Sequence, residues 1–277
     1  MSELLHRYIP RNRKRVSDTI PGVGVGEDIA DDDNPVRQNG VERLRQLCLA
    51  SSTRPFKARG IALRRCQHCL LAESACICRW RQQRSLDLDF VLIMHRDEVY
   101  KPTNTGRLIA DVFPGHCRAF LWSRTQPDPA LVALLNDPQR DCWLVFPGDR
   151  REHDEIAPDR SKTRCKRLTL ILLDGTWKQA SKMASKAVWL RDLPRIDALP
   201  STENLMQGNY ALRASHCGQR LSTAEAASFI LSALNRPAAA EILLDYFSVF
   251  NEHYLSSRRN CQPRHLAAHD RLEGGLV

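Results

Sequence analysis

Ten cysteines occur in the 277 residues, and four of them fall within thirteen positions: Cys66-Gln67-His68-Cys69, then Cys76-Ile77-Cys78. Two short-spaced thiol pairs separated by six residues can wrap one tetrahedral metal ion. Soft thiolates suit zinc or, less often, an iron–sulfur cluster. No apolar periodicity accounts for these positions, so the spacing points to a structural zinc held by Cys66, Cys69, Cys76 and Cys78, with His68 as an alternative fourth ligand. The flanking Arg64, Arg65, Arg79 and Arg81 would offset the charge of a four-thiolate site. The other six cysteines read as small core residues.

Three polar clusters suit acid–base chemistry or ligand binding. Asp174-Gly175-Thr176-Trp177 closes an apolar run. Here Asp174 is either a helix cap or a catalytic carboxylate, and Gly175 permits a tight turn and close approach to a ligand. Thr176 can cap the following helix, and Trp177 either packs or offers its indole face to a cation. His95-Arg96-Asp97-Glu98 follows a second apolar run and leads through Lys101 to Asn104-Thr105, where one residue can cap a helix. Asn209-Tyr210 and Arg213 precede Ser222-Thr223-Ala224-Glu225, which has the form of a capping box. Neither a dinucleotide fingerprint nor a P-loop is present, and Gly22-Val-Gly24-Val-Gly26 has no strand before it.

The elements that must position these clusters alternate. Strands are expected at 89–95, 118–122, 141–146 (ending in Pro147-Gly148) and 167–173. Helices are expected at 103–113, 129–136, 176–190, 222–235 and 238–254. Near-continuous apolar strands alternating with helices imply a buried, mostly parallel sheet covered on both faces. Ligands in such sheets sit beyond the carboxyl ends of strands, which singles out His95, Pro147-Gly148 and Asp174-Gly175. No run approaches the ~18 apolar residues of a membrane span, and Met1 to Pro10 has no signal-like apolar core, so the expected compartment is the cytoplasm.

Charge is uneven. Lys plus Arg is 41 against 32 Asp plus Glu, a net +9, and residues 54–84 hold eight basic residues against one acid. The first twenty residues add Arg7, Arg11, Arg13, Lys14 and Arg15. A basic surface of this kind attracts phosphate backbones. The expected organisation is a basic and acidic extension over 1–53, largely linker with a short helix over 41–50; a cysteine-rich basic knuckle over 54–84; an α/β catalytic domain over 85–257; and a tail over 258–277.

At these residues the sequence resembles the DTW-domain family. The motifs run in the same order from Cys66 to Asn235: C-x-x-C…C-x-C, the strand ending in His95 with Glu98 and Asn104-Thr105, Phe146-Pro147, Asp174-Gly-Thr-Trp177-Lys-Gln-Ala180, Tyr210-x-x-Arg213, and Leu221-Ser-Thr-x-Glu225-Ala226. The resemblance implies a SPOUT-like α/β fold with a knotted carboxy-terminal cofactor site. It further implies transfer of the 3-amino-3-carboxypropyl group of S-adenosylmethionine to a ring nitrogen of a tRNA variable-loop uridine, releasing methylthioadenosine. Asp174, Thr176 and Trp177 would then carry the chemistry, with Asp174 as general base and Glu225 as the alternative. Pro147, Gly148, Asp174, Gly175, Trp177, Tyr210, Arg213, Ser222 and Thr223 would hold the cosubstrate. His95, Glu98, Asn104 and Thr105, with Arg64, Arg65 and Arg79 of the knuckle, would meet tRNA. No membrane and no obligate protein partner are expected. Two other readings stay open: a SPOUT-like RNA methyltransferase, and a non-catalytic zinc-knuckle RNA-binding protein.

Overall fold

In strands β1 (Asp89–Met94), β3 (Arg140–Val145) and β4 (Arg167–Asp174), nearly every residue is buried. Such continuous burial needs cover on both faces, and the computed structural model shows it. The structure describes residues 39–52, 63–146, 165–196 and 221–274. The strands join β2 (Cys117–Leu121) and the two-residue β5 (Arg195–Ile196) in one five-stranded sheet, ordered β2-β1-β4-β3-β5, with every pairing parallel.

Side-chain alternation divides the core. On one face Phe90, Leu92, Leu170 and Leu172 pack with α2 (Gly106–Val112), α5 (Thr223–Ala233) and α6 (Pro237–Arg259). On the other, Val91, Ile93, Ile171 and Leu173 pack with α3 (Pro129–Leu135) and α4 (Trp177–Lys186). The expected helices on both faces are therefore present.

The boundaries differ from the sequence reading in instructive places. Helix α2 begins at Gly106 rather than 103, because Asn104 caps it from outside: its Oδ1 accepts from the Arg107 N–H at 2.9 Å. The helix expected over 176–190 stops at Lys186, where Ala187 turns extended, and a single 3-10 turn follows over Val188–Leu190. The short helix expected over 41–50 is present as α1 (Gly40–Ala50), and the one difference is at its start: Asn39, read as linker, is its cap in a complete capping box with Glu42. Helix α7 (Ala267–Gly274) lies in the segment read as tail; Trp80 Nε1 donates to its Glu273 at 2.8 Å. Among the cysteines read as core, Cys48, Cys117 and Cys142 are buried, but Cys165 and Cys261 are exposed and so do not fit that reading. Residues 1–38, 53–62, 147–164 and 197–220 lie outside the described residues. They include most of the expected linker, Pro147, Gly148, Tyr210, Arg213 and Cys217, one of the cysteines read as core.

Candidate active site and metal centre

The chain leaves β1 toward β2 on one side of the sheet and leaves β4 toward β5 on the other. The order therefore reverses between β1 and β4, and a parallel sheet opens a crevice at such a point. Met94 and Asp174 are partners at the carboxyl end of this pair, and the His95 N–H donates to the Asp174 carbonyl at 2.8 Å.

Asp174 does not cap α4. Thr176 does, its hydroxyl accepting from the Gln179 N–H while Gln179 Oε1 accepts from the Thr176 N–H at 2.8 Å. The Asp174 side chain is thereby released for other partners, and it is only 2% exposed. Asn104 Nδ2 donates to one carboxyl oxygen, and the Thr223 hydroxyl donates to the other at 2.7 Å. Asn104 thus serves two elements at once, capping α2 and holding Asp174. Burial raises the Asp174 carboxyl to about 6, although both hydrogen bonds favour its ionised form. Gly106 lies hard against it: a Cβ there would sit 2.8 Å from Asp174 Cγ.

A cavity of about 500 Å³ opens over this carboxyl. Lys101, Asn104, Thr105, Phe146, Trp177, Ser222 and Thr223 are among its walls. That volume lies within the range of small-molecule sites. Trp177 is 40% exposed at the wall and lies nearly parallel to Phe146, with ring centroids 5.8 Å apart. Glu98, also at the wall, pairs with Lys101 at 2.6 Å. Gly175 lets the first turn of α4 close on the end of β1; a Cβ there would meet Gln179 at 3.1 Å. Gln179 Nε2 and His95 Nδ1 lie 3.1 Å apart, so His95 stands behind the turn. Glu225 is engaged in the capping box of α5, accepting from the Ser222 N–H at 2.8 Å, which is a structural role.

Asp174, Gly175, Thr176, Trp177, Glu98, Asn104, Thr105, Ser222 and Thr223 therefore share one cavity. Pro147, Gly148, Tyr210 and Arg213 lie outside the described residues. The sequence reading had not given Gly106, Phe146 or Lys101 a place in the site. A glycine directly after a predicted cap was the one available signal for Gly106.

The four knuckle cysteines converge as expected: their sulfurs all lie within 4.8 Å of one another. Cys66 and Cys78 sulfurs are 3.6 Å apart, and those of Cys69 and Cys76 are 3.8 Å apart. Tetrahedral zinc at about 2.3 Å from each sulfur requires sulfurs about 3.8 Å apart, whereas a disulfide requires about 2 Å. The donor set fits a zinc-like ion. Crowding separates the thiols: a hydrogen bond from Cys78 lowers Cys69 to about 4, while burial pushes Cys76 up to about 11. His68 is not a fourth ligand here; it faces Glu42, with Nδ1 3.3 Å from Oε1.

The knuckle is tied to α2, and so to the site. Arg107, 2% exposed, donates to the Cys69 carbonyl. Arg81, three residues beyond Cys78, pairs with Asp111 at 2.8 Å, and the Arg84 N–H donates to the Val112 carbonyl at 2.8 Å. The three arginines expected to meet RNA are all on or beside the knuckle. Arg64 pairs with Glu73, Arg65 donates to the Leu70 carbonyl, and Arg79 lies 3.8 Å over the Trp80 ring.

A parallel α/β sheet with a pocket at its switch point, joined to a four-cysteine knuckle, defines the architecture. The model of the DTW domain matches residues 63–255, and the chain belongs to the DTW-domain family. No solved structure matches it. Membership is consistent with tRNA modification by an enzyme of the transferase kind. Among the described residues no helix is long and apolar enough to cross a membrane.

Proposed function

We propose that the protein transfers the 3-amino-3-carboxypropyl group of S-adenosylmethionine to a ring nitrogen of a tRNA uridine. The observation that carries this reading is a buried carboxyl, held by two hydrogen-bond donors, facing a cavity with an exposed indole at its wall. A carboxyl raised to about 6 is ionised at neutral pH and is a stronger base than an ordinary aspartate. In this reading Asp174 takes the proton from the uridine nitrogen. The nitrogen then bonds to the γ-carbon of the methionyl chain as the carbon–sulfur bond breaks, and methylthioadenosine leaves. Bound S-adenosylmethionine supplies a sulfonium whose departure drives the displacement. Asn104 and Thr223 hold the base in place, and their hydrogen bonds keep it charged until the nitrogen arrives.

Trp177, backed by Phe146, offers a flat face for the adenine or for the sulfonium charge. Ser222, the cap of α5, and Thr223, its first residue, put the start of that helix at the cavity wall as a proposed contact for the cosubstrate, with Tyr210, Arg213, Pro147 and Gly148 as further proposed contacts. Glu98 and Thr105, at the cavity wall, would face the RNA side, with Arg64, Arg65 and Arg79; His95, behind the turn, and Asn104, bonded to the carboxyl, would act only through their neighbours. The proposed frame is SPOUT-like, with a carboxy-terminal knot. The proposed location is the cytoplasm. Zinc on Cys66, Cys69, Cys76 and Cys78 has a structural role, holding the knuckle against α2.

Mass spectrometry of nucleosides and small molecules after incubating tRNA with protein and S-adenosylmethionine tests the reading. An aminocarboxypropyl uridine with methylthioadenosine is the expected result. A methylated nucleoside with S-adenosylhomocysteine would replace it with the methyltransferase reading. Binding of tRNA with no modified nucleoside would leave a non-catalytic knuckle protein.

A further inference from the structure

Helix α4 starts at the cavity and runs away from it with an unusual outer surface. Ala180, Met183 and Ala184 face the core. The opposite face carries Lys178, Lys182 and Lys186, all exposed, with exposed Ser185 between the last two. The lysines repeat every four residues, so they stand in one row about 12 Å long on a helix rising 1.5 Å per residue. The helix has no acidic residue at all. None of the three lysines pairs with an acid among the described residues.

Local physics does not account for this row. Cations four apart on a helix repel one another. Lys186, in the last turn, is favoured by the helix dipole, but Lys178, in the first turn, is opposed by it. The row therefore disfavours the isolated helix, and a polyanion lying along it would relieve the cost. The first residue of the helix is Trp177, whose indole is at the cavity wall. The knuckle arginines differ in being engaged: Arg64 faces Glu73, and Arg79 has Trp80 with Glu273 at 3.9 Å.

We propose that Lys178, Lys182 and Lys186 form a phosphate-tracking ridge that lays the tRNA backbone along α4 and delivers the target nucleotide to the cavity beside Trp177. The inference rests on the tRNA-modification reading and adds to it the surface that guides the RNA. Three charges in one row on the helix whose first residue lines the cavity orient a strand, whereas a scattered basic surface only attracts it.

The test measures binding of total tRNA by fluorescence anisotropy across a salt series, for the wild-type chain and for the triple variant Lys178→Gln, Lys182→Gln, Lys186→Gln. Loss of three phosphate contacts should flatten the slope of log K against log salt by about 2 to 3 and weaken binding about a hundredfold at 0.1 M salt. S-adenosylmethionine affinity by calorimetry should stay at its wild-type value, since all three side chains are outside the core, and the thermal midpoint should hold or rise slightly as the like-charge repulsion along α4 is removed. An Arg64→Gln, Arg79→Gln variant should change the slope less than the ridge variant. Equal tRNA affinity and equal slope in wild type and triple variant would overturn the ridge while leaving the modification reading standing. Wild-type protein that binds no tRNA at any salt would overturn both. A triple variant that keeps its tRNA affinity but loses binding to vesicles of anionic phospholipid would assign the ridge to a membrane surface and so refute the proposal.

Discussion

Two aspartates sit at opposite ends of the neighbouring strands β1 and β4, and their surroundings treat them oppositely. Asp89, first in β1, is met by Arg140 at 2.6 Å, by Arg167 at 2.8 Å and by His116 at 3.3 Å. Burial alone would raise its carboxyl, but the hydrogen bonds and charges of Arg167 and Arg140 outweigh burial and lower it. Asp174, last in β4, receives only neutral donors, and burial wins. The same side chain thus anchors the amino end of the sheet as a stable anion and stands at the carboxyl end as a buried carboxyl of raised proton affinity, the proposed base. Cations make the difference: the amino end spends them on Asp89, while at the carboxyl end Lys101 is committed to Glu98.

The largest effect should come from Asp174→Asn. Removing a general base should slow transfer by about 10²- to 10⁴-fold, read as methylthioadenosine release. The same change should stabilise the fold at pH 8. A folded carboxyl at about 6 instead of 3.8 holds its proton more tightly than the unfolded chain does. Its ionisation therefore costs stability above pH 6, up to about 3 kcal/mol, and the cost fades as pH falls through 6 toward 4. Thermal midpoints of wild type and variant should differ most at pH 8 and converge near pH 4. A variant that is less stable at pH 8 would show that Asp174 is an anchor like Asp89.

Next in size is loss of the metal. Cys69→Ser, or chelation, should remove one equivalent of zinc by elemental analysis and destabilise the chain by about 3 kcal/mol or more. Because Arg107 binds the Cys69 carbonyl and α2 carries Arg107, amide exchange should quicken in α2 as well as in the knuckle. Exchange that quickens in the knuckle alone would separate the two regions.

Asp89→Asn should do the reverse of Asp174→Asn. It leaves Arg140 and Arg167 facing each other without their anion, so denaturant titration should show a loss of about 2 kcal/mol near neutral pH. Transfer by the folded variant should stay at the wild-type rate. The stability Asp89 contributes is present above the ordinary carboxylate range and is lost as pH falls through its lowered value, so the variant and wild type should converge in acid.

The two ends were not equally legible in the sequence. The strands β1, β3 and β4 announced themselves because continuous burial demands continuous apolar residues. Strand β5 is two residues long, Arg195–Ile196, and carries no pattern to read. The DTW turn marked Asp174 by its place at a strand end, but its partners come from 70 and 49 residues away. Asn104 reads as a cap, and it is one; that its amide also holds Asp174 follows from sheet order, which spacing does not encode. The thiol cluster was readable because its ligands are local, while the turn of His68 toward Glu42 depends on α1 docking. The cluster on Asp89 leaves no mark in the sequence, since Arg140 and Arg167 lie far along the chain and read as strand flanks.

The smallest expected effect is the sharpest probe of the carboxyl end. Gly106→Ala adds one methyl, which would sit 2.8 Å from Asp174 Cγ and Oδ2 and 3.0 Å from Oδ1. The carboxylate cannot simply swing aside, because Asn104 grips one oxygen and Thr223 the other. Either α2 shifts or one hydrogen bond breaks. Shifting α2 strains its ties to the knuckle, and overpacking of this kind costs about 1 to 3 kcal/mol. Breaking a bond removes a donor that favoured the ionised form, so the limb of the pH–rate profile near 6 should move upward while transfer at neutral pH falls about tenfold. Gly115, just before β2 at the amino end, is the control: nothing lies within 4 Å of a Cβ there, and Gly115→Ala should leave both rate and profile unchanged. If Gly106→Ala lowers the rate without moving the profile, the methyl is blocking substrate and not the base, and the close approach of α2 to Asp174 has no part in setting its proton affinity.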